Sequence, residues 1–283
     1  MRVILAETAG FCMGVDLALT KLDELILEDS DAPLYTLGPI IHNPQVLQRY
    51  EARGVRVAEG PEDLPPGSRV VIRAHGIPRD LEARLHEAGI QVEDATCPRV
   101  KKAQVLIRRH TGEDEGRTLL LYGEADHPEV RGLLSYAEND TLVFGSRVEF
   151  EALNLPPGRY VLAAQTTQDK AEFNELVDSL EEREDLDVIV LQTICDATKL
   201  RQREAMDIAG AVDAMVVVGG RMSGNTRRLV QVSGAQGVDC FHVEVPEELP
   251  LDKLRGHQVV GLTAGASTPA DLIAAVRTTL EKL

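Results

Sequence analysis

VEDATCPRV, Val92–Val100, joins a short apolar run to a helix through a cysteine. Asp94 and Thr96 are turn formers that can bond their own backbone. Pro98 suits the first position of a helix, where a backbone N–H would have no partner in any case. The same seam recurs twice, in ILAETAGFCMGV (Ile4–Val15) and VIVLQTICDATKL (Val188–Leu200). Strand, cysteine and helix following one another at three places point to parallel α/β structure.

The rest of the chain agrees. β-type runs at Arg2–Ala6, Val70–Arg73, Thr118–Tyr122, Tyr160–Ala164, Asp187–Gln192, Ala214–Val218 and Gln258–Thr263 alternate with amphipathic segments. HNPQVLQRYEARG has Asn43 as N-cap, Pro44 as first helical residue and Gly54 as stop. HGIPRDLEARLHEAG repeats the design, with Leu81 and Leu85 on one face and Gly89 closing it. After Cys97, Val100, Ala103 and Ile107 share a face; after Cys195, Ala197, Leu200, Ile208 and Ala211 are expected to do so. Cys12, Cys97 and Cys195 cut the chain into lengths of similar size. The expected organisation is therefore three small α/β units: 13–97, 98–194, and 195–283 completed by the first strand within 1–12. The repeat is one of element order, since side-chain identity between the blocks is poor.

Composition narrows the function. Of 283 residues 43% are hydrophobic, enough for a sizeable core, and the net charge is −16. That balance opposes nucleic acid, which calls for a basic footprint, and an anionic membrane surface. It does not oppose a small phosphorylated ligand, which a few local donors can hold. Met1–Leu5 run straight into a strand-like segment, and no apolar stretch nears the roughly 20 residues of a membrane helix. A cytoplasmic protein is expected, whose four cysteines serve as thiols or metal ligands rather than disulfides. VVVGGRMSGN is glycine-rich but has neither the dinucleotide-binding pattern nor a phosphate-loop lysine, so no nucleotide cofactor is indicated.

In parallel α/β sheets ligands bind beyond the carboxyl ends of the strands. The polar residues found there are Cys12, His42, Asn43, His75, Gly76, Cys97, Glu124, His127, Glu129, Thr166, Thr167, Cys195, Ser223, Asn225 and Ser267. The cysteines lack the close pairing of structural zinc sites. Three distant thiolates suit an iron–sulfur cluster with one iron left open to act as a Lewis acid; buried structural cysteines are the alternative. Cys240, inside the run GVDCFHVEV, reads as a core thiol. His42, His75 and His127 each precede a helix start, where imidazolium and helix N–H groups favour an anion. Ser223, Asn225 and Ser267 add neutral donors, a set suited to a diphosphate. Glu129 is either a proton donor or a first-turn acid complementing the helix dipole. Glu7 and Glu124 are weaker candidates of the same kind.

GFCMGV, IIHNPQV, RAHGI, DATCP, HPEV, QTT, ICDAT, SGNT and TAGAS, in order from Gly10 to Pro269, resemble the motifs of the LytB/IspH family. The resemblance implies three α/β units in a pseudo-three-fold trefoil around a central 4Fe–4S cluster. It puts Cys12, Cys97 and Cys195 on the cluster, leaving one open iron site that is readily damaged to a three-iron form. It puts His42, His75, Ser223, Asn225 and Ser267 on the substrate diphosphate, His127 and Thr166 near the reacting hydroxyl, and Glu129 at proton delivery. The implied reaction is the two-electron reductive dehydroxylation of 4-hydroxy-3-methylbut-2-enyl diphosphate to isopentenyl and dimethylallyl diphosphate, with ferredoxin or flavodoxin as donor. Gly224 stands where the family pattern has a second serine, so weaker diphosphate binding is expected. The chain also ends soon after TAGAS, so any cover over the site is expected to come from another element. The rivals are another trilobed three-cysteine enzyme, of the quinolinate synthase or diphthamide synthase kind, and a cluster-based redox or iron sensor.

Overall fold

The computed structural model describes residues 1–28 and 30–283. In chain order the elements are β1 (Arg2–Leu5), α1 (Met13–Leu27), β2 (Leu34–Leu37), α2 (Pro44–Glu51), β3 (Arg56–Ala58), β4 (Arg69–Ile72), α3 (Arg79–Glu87) and β5 (Gln91–Asp94). They continue with α4 (Pro98–Thr111), β6 (Thr118–Tyr122), α5 (Pro128–Leu134), β7 (Thr141–Phe144), α6 (Arg147–Ala152), β8 (Gly158–Ala164), α7 (Lys170–Glu181) and β9 (Leu186–Val190). The last third holds α8 (Asp196–Ala209), β10 (Ala214–Val218), α9 (Gly224–Gly234), β11 (Asp239–Val243), α10 (Leu251–Leu254), β12 (Val259–Ala264) and α11 (Ala270–Glu281). Among the described residues no helix is long and apolar enough to cross a membrane.

The fold is α/β, with three four-stranded sheets in which the paired strands run parallel. The chain forms two compact units. The first comprises Met1–Asp16, Ile41–Tyr50 and Asp196–Leu283, and the second Leu17–Ile40 and Glu51–Cys195. The first unit holds the sheet β1-β12-β10-β11, and here the N-terminal strand does complete a C-terminal sheet, with Val3 opposite Val260. The second unit holds β3-β2-β4-β5 and β7-β6-β8-β9. Each sheet thus has one edge strand followed by a cysteine: β1 by Cys12, β5 by Cys97 and β9 by Cys195.

Central strands are covered by helices on both faces, so they read as unbroken apolar runs. β4 (RVVI) and β10 (AMVVV) are buried at every position. The seven β-type runs read from sequence leave out β5 and β11, met only in the segments around Cys97 and Cys240, and β2, β3 and β7, which have three or four residues each and, in β3 and β7, exposed positions. Their pairing comes from the neighbouring strand rather than from their own pattern. Helix punctuation is as expected. Asn43 Oδ1 accepts from Val46 N at 3.0 Å, and Gly54 and Gly89 stand at φ +89° and +68° where the chain turns after α2 and α3. α4 buries Val100, Ala103 and Ile107, the last against Leu119, Leu121 and Val161 of β6 and β8. A fully buried side chain of that size contributes about 2 kcal/mol.

One helix face was misassigned from sequence. α8 buries Thr198, Arg201, Gln202, Ala205 and Ala209, while Leu200 is 62% exposed. Apolar periodicity picked Leu200 because the buried face is built from polar and small residues, which a hydrophobic pattern does not register.

Candidate active site

In the first unit three strand ends and one helix start come together. Ser223 caps α9, its Oγ accepting from Thr226 N at 3.3 Å. Asn225 Oδ1 accepts from Ala266 N at 2.9 Å, which leaves its Nδ2 as the donor end. Ser267 Oγ donates to the carbonyl of His42 at 3.4 Å. Cys12 N donates to Ala266 O at 3.1 Å, and the Cys12 carbonyl accepts from Asp16 N in the first turn of α1. His42, Ser223, Asn225, Ser267 and Cys12 therefore share one loop cluster.

Close packing without side chains makes this cluster possible. A Cβ on Gly220 would stand 2.2 Å from the carbonyl of His42. A Cβ on Gly219, whose φ is +147°, would meet the hydroxyls of Thr226 and Thr268 at 2.7 Å. At Gly265 it would stand 2.0 Å from Thr226 Oγ1 and 3.1 Å from its Cβ. Thr226 is fully buried, so it cannot swing into solvent. Gly265→Ala is accordingly expected to push α9 off the end of β12 at about 1–3 kcal/mol, the usual cost of overpacking. Urea denaturation would show this as a lower midpoint at unchanged slope; an unchanged midpoint would mean that the contact yields easily. Gly265 and Gly220 were not singled out from sequence, because only a three-dimensional close approach marks them.

In the second unit the central group is Glu129, on the first turn of α5 and 1% exposed. Its Oε1 accepts from Thr166 N at 2.6 Å, and its Oε2 accepts from Thr166 Oγ1 at 2.9 Å. Burial pushes the carboxyl up, and the two bonds from Thr166 only partly offset this, so it titrates at about 7. Glu7 and Glu124, the other carboxyl candidates, are exposed. His127 is the N-cap of α5, its Nδ1 accepting from Glu129 N at 3.2 Å. The ring of His75 meets that of His127 edge to face, with centroids 5.3 Å apart. His75 sits in a turn, with Gly76 at φ +70°, some way before the cap of α3 at Pro78 rather than directly at a helix start. Gln165, missed from sequence, accepts from Glu124 N at 3.1 Å and donates to Thr167 Oγ1 at 3.2 Å, holding the loop that carries Thr166.

Cys97 and Cys195 also lie in this unit. Cys97 is the N-cap of α4; its N–H donates to Ala74 O and its carbonyl accepts from Lys101 N, both at 3.0 Å. The turn before it is fixed by Thr96 N donating to Asp94 Oδ1 at 2.8 Å. Burial works against ionisation of Asp94, but bonds from Lys101 and Thr96 outweigh it and hold the carboxyl below its usual range. Cys195 N donates to the carbonyl of Thr166 at 3.0 Å, tying the third cysteine to the residue that holds Glu129. No disulfide joins any of the four cysteines among the described residues. Cys240 lies in β11 and is half-buried rather than fully buried; it packs against Ala205, Val217, Leu229 and Val232, and desolvation pushes its thiol up to about 11. Glu204, also missed, accepts from the backbone of Glu7 and Thr8 at 2.6 and 2.9 Å and so anchors the loop between β1 and Cys12.

Parallel sheets whose strand ends carry cysteines, histidines, hydroxyls and one buried carboxyl define the class: an α/β enzyme that works beyond the carboxyl ends of its strands. The chain belongs to the LytB protein family, which matches residues 3–281. It is 59% identical, over the full length of both chains, to the 4-hydroxy-3-methylbut-2-enyl diphosphate reductase of Nitratidesulfovibrio vulgaris (strain DSM 19637 / Miyazaki F). Its structure is similar to the E-1-hydroxy-2-methyl-but-2-enyl-4-diphosphate reductase of Plasmodium falciparum, at TM-score 0.91 and 27% identity, covering 98% of this chain and 87% of that one. It is also similar to a solved (E)-4-hydroxy-3-methyl-but-2-enyl diphosphate reductase, the terminal enzyme of the non-mevalonate pathway, at TM-score 0.68 and 41% identity over all of both chains.

Proposed function

We propose that this chain reduces 4-hydroxy-3-methylbut-2-enyl diphosphate to isopentenyl and dimethylallyl diphosphate, the last step of the methylerythritol phosphate (non-mevalonate) route. The allylic C–O bond breaks, two electrons and two protons are consumed, and water leaves. Proton addition at either end of the allyl unit gives the two products. Family membership over nearly the whole chain supports the reaction. The observation that carries the chemistry is Glu129: a buried carboxyl that keeps a proton near neutral pH, in hydrogen-bond contact with a threonine hydroxyl.

The reaction needs an electron-carrying group, and the donor set fits an iron–sulfur cluster. Cys12, Cys97 and Cys195 each follow an edge strand and precede a helix, which sets a sulfur ligand at three comparable strand–helix junctions. Each has its backbone pinned by a hydrogen bond to a neighbouring loop. These three would hold a 4Fe–4S cluster with one open iron. When bound, it supplies electrons and a Lewis acid for the substrate hydroxyl. On this reading the chain is organised as three α/β units, 13–97, 98–194, and 195–283 with 1–12, in a trefoil about the cluster. The shared strand order supports that organisation.

The remaining roles fall to the side chains at the strand ends. His42, His75, Ser223, Asn225 and Ser267 donate to the diphosphate. Gly224 offers a backbone N–H where the family has a serine hydroxyl. His127 and Thr166 orient the substrate hydroxyl, and Glu129 delivers its proton through Thr166 Oγ1. A ferredoxin or flavodoxin gives one electron at a time, so it acts twice per turnover.

Anaerobic incubation with 4-hydroxy-3-methylbut-2-enyl diphosphate and reduced methyl viologen tests the proposal, on protein whose iron and sulfide have been counted. Both five-carbon diphosphates should form, at about four irons per chain. A full cluster without turnover would move the assignment to another trilobed enzyme or a sensor. Iron-free protein from strictly anaerobic purification would remove the cluster reading.

A further inference from the structure

α4 is anomalous in its charge. It carries Arg99, Lys101, Lys102, Arg108 and Arg109, five of the chain's 30 Lys and Arg, and none of its 46 Asp and Glu. Only α9 among the other described α-helices also lacks a carboxylate, and it has just two cations. Arg99 and Lys101 lie in the first turn of α4, where the helix dipole disfavours positive charge, so helix stability does not account for them. Lys101 pairs with Asp94 and Arg108 with Glu138, whereas Lys102 and Arg109 make no ion pair among the described residues.

The two unpaired cations share a stripe. Pro98, Lys102, Val105 and Arg109 fall at helical spacing on one outward face, all exposed, with Val105 at 65%. The stripe begins at the residue after Cys97. Beside it lies a cleft of about 240 Å³, whose lining includes Lys101, Val105, Tyr136 and Thr96. Glu82 and Asp94 bring carboxylates into the cleft, the latter neutralised by Lys101. A partner side chain seated in the cleft therefore reaches Thr96, the residue before Cys97.

We infer that this face of α4 is the docking surface for an acidic one-electron carrier protein, and that electrons enter the chain at Cys97. The inference rests on the reductase reading above. At net charge −16 the molecule as a whole repels an acidic partner. A local positive stripe around an exposed apolar residue supplies the attraction and orientation that the rest of the surface withholds. In each encounter the carrier loses one electron and this protein gains it; two encounters serve one substrate, with the protons coming from the active site.

The probe is a purified acidic flavodoxin. Its binding to anaerobic holoenzyme is measured by isothermal titration at low ionic strength, beside turnover driven by the flavodoxin and by methyl viologen. Lys102→Glu with Arg109→Glu should weaken binding about tenfold or more and raise the KM for flavodoxin to match. Viologen-driven turnover should stay at the wild-type rate. Lys253→Glu in α10 with Arg255→Glu at its C-cap makes the same change in net charge and should leave binding near wild type. Equal weakening by both pairs, or none by either, overturns the docking surface. Wild-type protein that ignores flavodoxin but sediments with phosphatidylserine vesicles overturns it in favour of a membrane. Failure of the reductase reading is told apart by wild-type protein inactive even with methyl viologen.

Discussion

Glu129→Gln is expected to give a folded protein with turnover lowered at least about 100-fold, the lower end of what a positioned proton donor supplies. The substitution keeps shape and bonding. The glutamine oxygen can still accept from Thr166 N, and its amide can donate to Thr166 Oγ1, so the loop carrying Thr166 stays in place. What disappears is a transferable proton. The buried carboxyl titrates at about 7 against an ordinary 4.5, so it keeps that proton where a solvated glutamate has lost it. A raised acid makes the folded state bind more protons than the unfolded one between these two values. Its contribution to stability is full below about 4.5 and is lost as the pH rises through about 7, a change of about 3 kcal/mol. Denaturation of wild type and Glu129→Gln at about pH 5 and about pH 8 should show a fall in the wild type that the variant lacks. Wild-type turnover in the variant would end the proton-delivery role; parallel stability profiles would show that the carboxyl is not held protonated.

Cys97→Ser should remove iron and turnover together while leaving the fold intact. Serine is a good N-cap, so α4 keeps its start and its buried face of Val100, Ala103 and Ile107. The backbone bonds to Ala74 and Lys101 do not involve the thiol. A hydroxyl is a poor replacement for a thiolate on iron, so iron should fall from about four per chain toward zero. Turnover should drop with it, by at least about three orders of magnitude. Cys240→Ser is the matched control. That thiol is held protonated by its half-buried position in β11, and its loss should leave iron content untouched. Retained iron in Cys97→Ser, or lost iron in Cys240→Ser, would reverse the assignment of the cysteines.

Much of this was legible in the sequence, for identifiable reasons. Central strands such as β6 and β10 announce themselves because burial on both faces demands apolar residues throughout. A helix start is visible where the cap is a side-chain bond, as at Asn43, whereas Ser223, read as a ligand donor, also proves to cap α9. Edge strands β3 and β7 were not legible, since they are short, with two of three positions exposed in β3 and one of four in β7, and only the neighbouring strand fixes them. The buried face of α8 was misread for the opposite reason: Thr198, Arg201 and Gln202 are polar groups held inside by their surroundings. Glu129 was visible as a first-turn acid, but only its burial against Thr166 separates it from Glu7 and Glu124. The approach of Gly220 and Gly265 to other segments cannot be seen in one dimension at all.

The pairing of β1 with β12 also bears on how the protein is made. β1 leaves the ribosome long before its hydrogen-bonding neighbour β12 is made, Val3 meeting Val260. At roughly 5–20 residues per second the nascent strand waits on the order of tens of seconds. Both sheets of the second unit can form in that interval, their strands being complete once β9 has emerged. Cys12 gains its bond to Ala266 only after that closure. On the cluster reading proposed above, assembly waits until β12 has emerged, and a chain released before that point would carry Cys97 and Cys195 without a settled Cys12.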